Sequence, residues 1–462
     1  KMTFGNDGDQ TLTLALSRTD SDLDDAAVAQ TGGAATIPSF GFADIHAVDD
    51  TATLTWTHGV AASDLLDLTV QLSYTDTDVA KSNFTGSALT CAAGTFQVLC
   101  PGDFGYATTT LKIENTADLS SGDWQNFLTF GVQLSNQDRT ATSTLGPLGF
   151  HPEGTDRKLG LYAQGEFVWN DRLTIIPGLR VDFGDRTPSA ATVALGGTAV
   201  EDQAVSPKLS ALYKINDSWG VFGTLARTER MPTLDELYST DGGRLPSLDL
   251  KKETAASVEL GLTYQREGLF AETDSLQLKA TAFHSTLENL IVTNGATGAV
   301  PRYLNVRSAE IWGGEVEASY DAELWFASLG YSNVKSAYRD MPIPAANGLT
   351  IADTPAENLA LTIGAKLPDQ GLILGWTAYY YDAITTNAVA TSSTGAITPT
   401  HTPAFHMHDL FVTWTPETGA LAGMDVALTV ENVFDADVKN NLSLDRAQGM
   451  NAKLSVGKTF TW

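Results

Sequence analysis

Along most of the chain, apolar and polar residues alternate one by one for about ten residues and then give way to a turn or loop. In Lys158–Trp169, Leu159, Leu161, Ala163, Phe167 and Trp169 share one parity, and Lys158, Tyr162, Gln164 and Glu166 take the other. In Leu173–Phe183, Leu173, Ile175, Leu179, Val181 and Phe183 oppose Thr174, Arg180 and Asp182. Val258, Leu260, Leu262 and Tyr264 oppose Ser257, Glu259, Thr263 and Gln265 in the same way, and Val316, Ala318 and Tyr320 oppose Glu315, Glu317 and Ser319. Successive side chains of a strand point to opposite faces, so each segment reads as a β-strand with one greasy and one wet side. No amphipathic helix of convincing length interrupts the series.

A soluble sandwich shows the same period, so the residue types on each face decide the reading. The wet face carries Glu166, Arg180, Asp182, Glu259, Lys279, Glu315, Glu317 and Lys366 at mid-strand, while the apolar face recurs with Trp, Tyr and Phe near strand ends. A water-filled interior, a lipid-facing band and aromatic girdles produce this pattern, so the expected fold is an all-β transmembrane antiparallel β-barrel. The connections support it by alternating long and short. The long ones are near 20–50, 79–105, 139–156, 184–205, 227–252, 292–302, 339–354, 384–404 and 434–450. The short ones are near 5–9, 60–66, 117–121, 170–171, 215–217, 266–273, 321–322, 367–370 and 416–422. This count gives about 18 strands plus a scrap at Lys1–Phe4, with the last strand running down to the periplasm.

Composition narrows the function. The 462 residues hold 28 Lys+Arg and 55 Asp+Glu, a formal net charge of −27, which argues against a nucleic-acid-binding surface. The 43% hydrophobic content argues against bulk disorder. No run of ~18 apolar residues offers a transmembrane helix, and Lys1–Gly5 does not read as an export signal. No nucleophile elbow, phosphate loop or paired metal-ligand motif stands in strand-to-helix context, so an enzyme is not expected.

Several segments carry a resemblance to the TonB-dependent outer-membrane receptors. Val205-Ser206-Pro207-Lys208-Leu209 followed by Arg227-Thr228-Glu229-Arg230-Met231-Pro232 is similar to the strand and loop with that family's Phe-Arg-Ala-Pro box. Leu250-Lys251-Lys252-Glu253-Thr254 resembles its Leu-Lys-Pro-Glu-Thr segment, and Val430-Glu431-Asn432-Val433-Phe434-Asp435 its penultimate-strand signature. Gly160-Leu161-Tyr162-Ala163-Gln164 and Pro177-Gly178-Leu179-Arg180 fit as well. The resemblance implies a 22-stranded barrel filled by an N-terminal plug. It also implies a ligand-binding outer face coupled to an inner-membrane energy source through a box ahead of the plug.

About 18 of 22 strands then lie in residues 1–462, and the plug and first strands are expected outside this chain. An open sheet in lipid leaves unpaired peptide groups, so the chain is not expected to close a barrel alone. A longer protein is the favoured explanation, ahead of a receptor split over two polypeptides and a smaller barrel. The implied function is energy-coupled uptake of a chelated nutrient, most simply an iron complex (siderophore or heme). The alternative is a non-transporting surface protein or a passive channel. Expected partners are outer-membrane lipid and lipopolysaccharide, the TonB energy-transducing complex, the outer-membrane assembly machinery and, for a split receptor, a second chain carrying the plug and first strands.

The seventh outer loop, 227–252, supplies Arg230 and Arg244 as ligand contacts, and Glu166, Arg180, Asp182, Glu259, Glu315 and Glu317 are assigned to the lumen. Heme receptors of the family are expected to place a His between the two loop boxes, and Met231–Leu250 contains none. His406 and His408 share a strand face roughly 7 Å apart and, with His401, are weak metal candidates. Their parity also carries Leu410, Val412 and Trp414, so an interfacial position is the favoured reading. Asp20, Asp22, Asp24, Asp25, Asp44, Asp49 and Asp50 are expected in one outer loop, where Ca²⁺ is conceivable and a solvated, self-repelling loop is favoured. Cys91 and Cys100 face an oxidising periplasm during export and are expected to form a disulfide worth roughly 2–3 kcal/mol. Gly457, Phe460 and Trp462 resemble the signal read by the assembly machinery, with Lys458 a departure that must snorkel.

Overall fold

The computed structural model describes residues 1–5, 10–28, 41–59, 63–86, 91, 97–146, 148–240, 243–294, 298–341, 344–389, 397–443 and 446–459. The first strands are β1 (Met2–Gly5), β2 (Gln10–Ala27), β3 (Phe42–Gly59), β4 (Asp67–Thr85), β5 (Gly102–Asp118), β6 (Trp124–Ser143) and β7 (Gly154–Trp169). Then come β8 (Leu173–Pro188), helix α1 (Ala190–Ala194), β9 (Val200–Lys214), β10 (Trp219–Arg230), helix α2 (Leu234–Tyr238), β11 (Glu253–Glu267), β12 (Ser275–Thr293) and β13 (Tyr303–Asp321). The rest are β14 (Trp325–Arg339), β15 (Asn358–Leu367), β16 (Leu372–Tyr381), β17 (Ile384–Val389), β18 (Ile397–Thr402), β19 (Phe405–Trp414), β20 (Met424–Glu431) and β21 (Asn451–Lys458).

Nineteen strands form one sheet, and every registered pair is antiparallel between chain neighbours, with β16 passing to β19. The expected 18 strands and the leading scrap are all found, the scrap being β1. The addition is β17–β18, a separate hairpin inside the connection expected as a long loop at 384–404. Its sequence, rich in Thr with no apolar face, carries no alternation signal.

The outer connections also differ from expectation. β2 and β3 stay in register from Gln10↔His58 up to Leu23↔Ile45, so most of the acidic residues expected in a loop lie on paired strands. Leaving the lipid removes the demand for apolar side chains, but the backbone ladder continues and Asp alternates with Ser and Thr along it. The short periplasmic turns fall where expected.

The wall has no core of its own. Leu16, Leu225 and Leu260 are 64%, 58% and 66% exposed on one face, as a lipid-facing band requires. Buried apolar clusters form at the outer end: Val28, Ala43, Val98 and Leu99; Phe104, Ala141 and Leu148; Leu234, Leu237 and Tyr238; and Val306, Tyr338, Met341 and Ala346. The outer connections therefore fold against strand ends and one another. Near the periplasmic turns, Trp124 and Trp169, Trp219 and Tyr264, and Tyr320 and Trp325 pair at centroid distances of 6.3, 4.6 and 4.6 Å, forming the expected girdle. Asp274 closes one of these turns, accepting hydrogen bonds from the N–H groups of Leu269, Phe270 and Ala271 and from the Tyr320 hydroxyl. Burial alone would raise its carboxyl pKa, yet the Tyr320 hydroxyl and these N–H donors hold it below the usual range.

On the lumen face, three phenylalanines lie over glycines of the adjacent strand: Phe222 over Gly261, Phe326 over Gly364 and Phe411 over Gly375. A Cβ at any of these glycines would meet the ring. Gly261→Val should therefore displace Phe222 and destabilise the barrel by about 1–3 kcal/mol, lowering the thermal unfolding temperature in detergent. An unchanged unfolding temperature would show that the ring has room to move.

Candidate functional site: the polar lumen and its outer mouth

Strand parity fixes which side chains meet inside. On β5–β8 the lumen parity carries Lys112, Glu114, Gln133, Tyr162, Arg180 and Asp182, which join into one network. The Tyr162 hydroxyl donates to Glu114 at 2.7 Å, Lys112 pairs with Glu114 at 3.0 Å, and Arg180 pairs with Asp182 at 2.7 Å. Arg180 and Lys112 both lie over the Tyr162 ring, at 5.6 and 5.9 Å. Gly160 leaves the space that Arg180 and Asp182 fill. Arg180 and Asp182 thus belong to a connected inner wall. Glu166, on the parity of Tyr162 and Gln164, stands apart from it. Glu259, Glu315 and Glu317 lie on the lumen parity of β11 and β13, with Glu315 accepting from Ser332 and Glu317 opposite Lys279.

Toward the outer end, the same parity leads to Lys81 on β4, Phe104 and Tyr106 on β5, Arg139 on β6 and Asp156 and Lys158 on β7. The loop after β10 turns inward here. Its helix α2 is capped by Thr233, whose hydroxyl accepts from the Glu236 N–H while Glu236 accepts from the Thr233 N–H at 2.8 Å. Leu234, Leu237 and Tyr238 are buried, and the Tyr238 hydroxyl donates to the carbonyls of Arg186 and Thr198 at 2.9 and 2.8 Å. Asp235 on α2 takes both ends of the Arg139 guanidinium, at 2.8 and 2.7 Å. Arg139 is only 7% exposed and also contacts the His151 ring, which packs edge-on to Phe104 and Tyr106. Arg186, 2% exposed, lies against Asp156 and the Met231 sulfur.

The far side of the loop is stitched to the β12–β13 connection. The Leu245 N–H donates to the Val300 carbonyl at 2.9 Å, the Arg302 N–H donates to the Leu245 carbonyl at 3.1 Å, and Arg244 donates to the Asn294 carbonyl. Arg230 is held by Glu236 and Glu253, at 2.8 and 2.5 Å. Both arginines expected as ligand contacts are therefore engaged in anchoring this loop. The residues that line its inner side, Lys81, Tyr106, Arg139, His151 and Asp235, were not singled out from sequence. Lumen parity is the one signal in the sequence that marks Arg139; its partner Asp235 is 96 residues away.

The histidine and acidic candidates separate. His401 accompanies Thr385 in the β17–β18 hairpin. His406 and His408 sit on the outer face, ring centroids 5.3 Å apart, with His408 stacked on Trp376 and edge-on to Phe434. Among the described residues, the one cluster of three metal-type donors is Asp20, Asp22 and His46, all exposed. His46 Nδ1 lies 2.7 Å from Asp22 and 3.7 Å from Asp20. Two carboxylates and an imidazole on a strand pair do not make the six-to-eight-oxygen cage of Ca²⁺. Cys91 and Cys100 are joined by a disulfide, with Cα atoms 4.7 Å apart. Asn432, in the left-handed region at φ 49° and 3% exposed, ties the end of β20 to Ala436 and Gln448. Gly457 lies in β21 opposite Asp425, and Phe460 and Trp462 lie outside the described residues.

A family model described as TonB dependent receptor-like, beta-barrel matches residues 2–433. The TonB-dependent heme receptor A of Haemophilus ducreyi is 26% identical over 346 residues, covering 67% of this chain and 46% of that protein. The chain spans about half the length of the curated relatives it matches. The Serratia marcescens hemophore receptor HasR, solved as a double mutant with its hemophore and heme, superposes at a TM-score of 0.74 with 16% identity, covering 98% of this chain and 70% of that one. The copper transporter OprC superposes at 0.76 with 16% identity, covering 99% and 70%. One fold thus serves proteins with different cargo, and the wall alone does not select it.

Burial, with Arg139 and Lys81 nearby, pushes the His151 pKa down to about 3. A docked ring stays neutral where a free one near 6.5 takes up a proton. The His151 contribution to the docking of residues 148–153 should therefore be fully present above about pH 6.5 and be lost as pH falls from there toward 3, by up to ~1.4 kcal/mol per unit. Amide exchange of residues 148–151, corrected for intrinsic rates, should rise between pH 7 and 5, and His151→Phe should abolish that rise. A rise that persists in His151→Phe would place the titration elsewhere.

Proposed function

The chain belongs to the TonB-dependent receptor-like β-barrel family, and from that premise we propose that it forms the wall of a receptor for energy-coupled uptake of a chelated iron compound. Such proteins reside in the outer membrane of Gram-negative bacteria and are receptors and transporters, not enzymes. The observation that carries the uptake reading is the loop after β10, whose helix α2 is drawn into the mouth and held on the lumen side by Asp235, Leu234 and Tyr238. The family match over residues 2–433 favours this reading over a passive channel.

Heme is the cargo favoured by the relatives, with a ferric siderophore second. The absence of His from Met231–Leu250 means that an axial ligand would have to come from another segment. His151 is poorly placed for that role, being 8% exposed and turned toward Arg139. Energy coupling would require the TonB complex and a plug, supplied by sequence outside this chain or by a second chain. Lipopolysaccharide would surround the outer strand ends, and the assembly machinery would read the C-terminal strand.

Deleting the gene should abolish or strongly reduce growth on hemin as sole iron source, and the full-length gene should restore it. Loss confined to a ferric siderophore would move the cargo to that class. Unchanged growth on every iron source would overturn the uptake reading in favour of a surface or passive-channel role.

A further inference from the structure

Arg139 is buried, yet the carboxylate that neutralises it is not: the Asp235 side chain is 43% exposed and the Arg139 side chain 7%. A buried guanidinium whose counter-ion faces solvent has a partner that can be exchanged without first breaking the core. The groups beside it favour an anion. Lys81 Nζ lies 5.4 Å from the Phe104 centroid, over a ring rather than beside a carboxylate. The Tyr106 ring carries Arg139 at 5.3 Å, and among the described residues no hydrogen bond holds its hydroxyl. Glu153 is turned to the Ala141 N–H and Ser189, and Asp156 serves both Lys158 and Arg186. Among the described residues Arg139 has Asp235 as its paired carboxylate and Lys81 has none, so removal of Asp235 leaves both cations uncompensated. This positive corner stands out in a chain of net charge −27.

We propose that Arg139, with Lys81 and Tyr106, is a carboxylate-binding subsite at the inner mouth, and that Asp235 holds it closed until a carboxylate-bearing iron chelate takes its place. The exchange conserves charge at the guanidinium, since one bidentate carboxylate replaces another. Leaving Arg139 empty would strand a buried charge, so α2 stays docked when no ligand is present. Release of Asp235 removes the ion pair that holds α2 and leaves its hold to Leu234, Leu237 and Tyr238, whose hydroxyl still bonds the Arg186 and Thr198 carbonyls. Cargo recognition and movement of the loop are thereby one event. The assignment rests on the uptake reading for the identity of the cargo, but not for the exchange itself.

The full-length receptor in detergent tests both parts. Hemin should bind about tenfold or more tightly than hemin dimethyl ester, which lacks the free carboxylates. Arg139→Gln should bind the two equally, and Asp235→Asn should bind hemin more tightly than the wild type because the competitor is gone. Independently of any iron ligand, millimolar citrate should speed amide exchange over Leu234–Tyr238 in the wild type and not in Arg139→Gln. Should Arg139→Gln fail to fold, the Asp235→Asn arm and the citrate response of the wild type decide. No citrate response in the wild type, or a hemin-to-diester preference that survives Arg139→Gln, overturns the subsite. A wild type that responds to citrate but binds neither heme compound keeps the subsite and overturns heme as the cargo.

Discussion

Inside hydrocarbon a peptide group has no water to bond to, and each unpaired N–H or C=O costs several kcal/mol by order of magnitude. The nineteen-stranded antiparallel sheet answers that constraint along most of its width: each of its strands between β1 and β21 has an antiparallel partner on both sides, while β1 and β21 are paired on one side. The rest of the wall follows from it. A sheet between lipid and water has to be apolar on one face and polar on the other, which is why Leu225 and Leu260 alternate with Thr224 and Glu259. Where the sheet curves, lumen side chains crowd one another. Glycines such as Gly261, Gly364 and Gly375 admit the rings of Phe222, Phe326 and Phe411 there.

The constraint ends at the membrane surface, and so does its pattern. Above the lipid the strands continue as Asp-, Ser- and Thr-rich ladders, and the connections between them can fold as small globular units. Four buried apolar clusters hold this outer end. The disulfide between Cys91 and Cys100 pins one of them, since Leu99 and Cys100 are buried beside Val98. The structural weight of the protein is thus divided: backbone pairing holds the wall, and side-chain packing holds the mouth.

That division explains where binding chemistry can reside. The inner wall is a set of satisfied pairs, such as Lys112 with Glu114 and Arg180 with Asp182, which give a rigid polar surface. The mouth is different because α2 comes from one loop while its partners come from β6 and the loops after β6 and β8. Interactions across independently connected segments, such as Asp235 with Arg139, can be broken without unravelling a strand ladder. Arg230 performs the opposite task, fixing the root of the same loop to β11 through Glu253.

The amino-acid sequence alone set the strand number, the turn positions, the two faces and the family resemblance, since a period of two under a lipid boundary is local information. It also placed Arg180, Asp182, Glu259, Glu315 and Glu317 on the wet face for the same reason. It did not show that the acidic run beginning at Asp20 stays on a paired strand, because Asp, Ser and Thr alternation carries no apolar stripe. Nor did it join Arg139 to Asp235, which no periodicity connects. Which charges meet at the mouth depends on how separate loops pack over a curved wall. That packing is a long-range property decided by the buried clusters of Leu234, Leu237 and Tyr238 and of Phe104, Ala141 and Leu148.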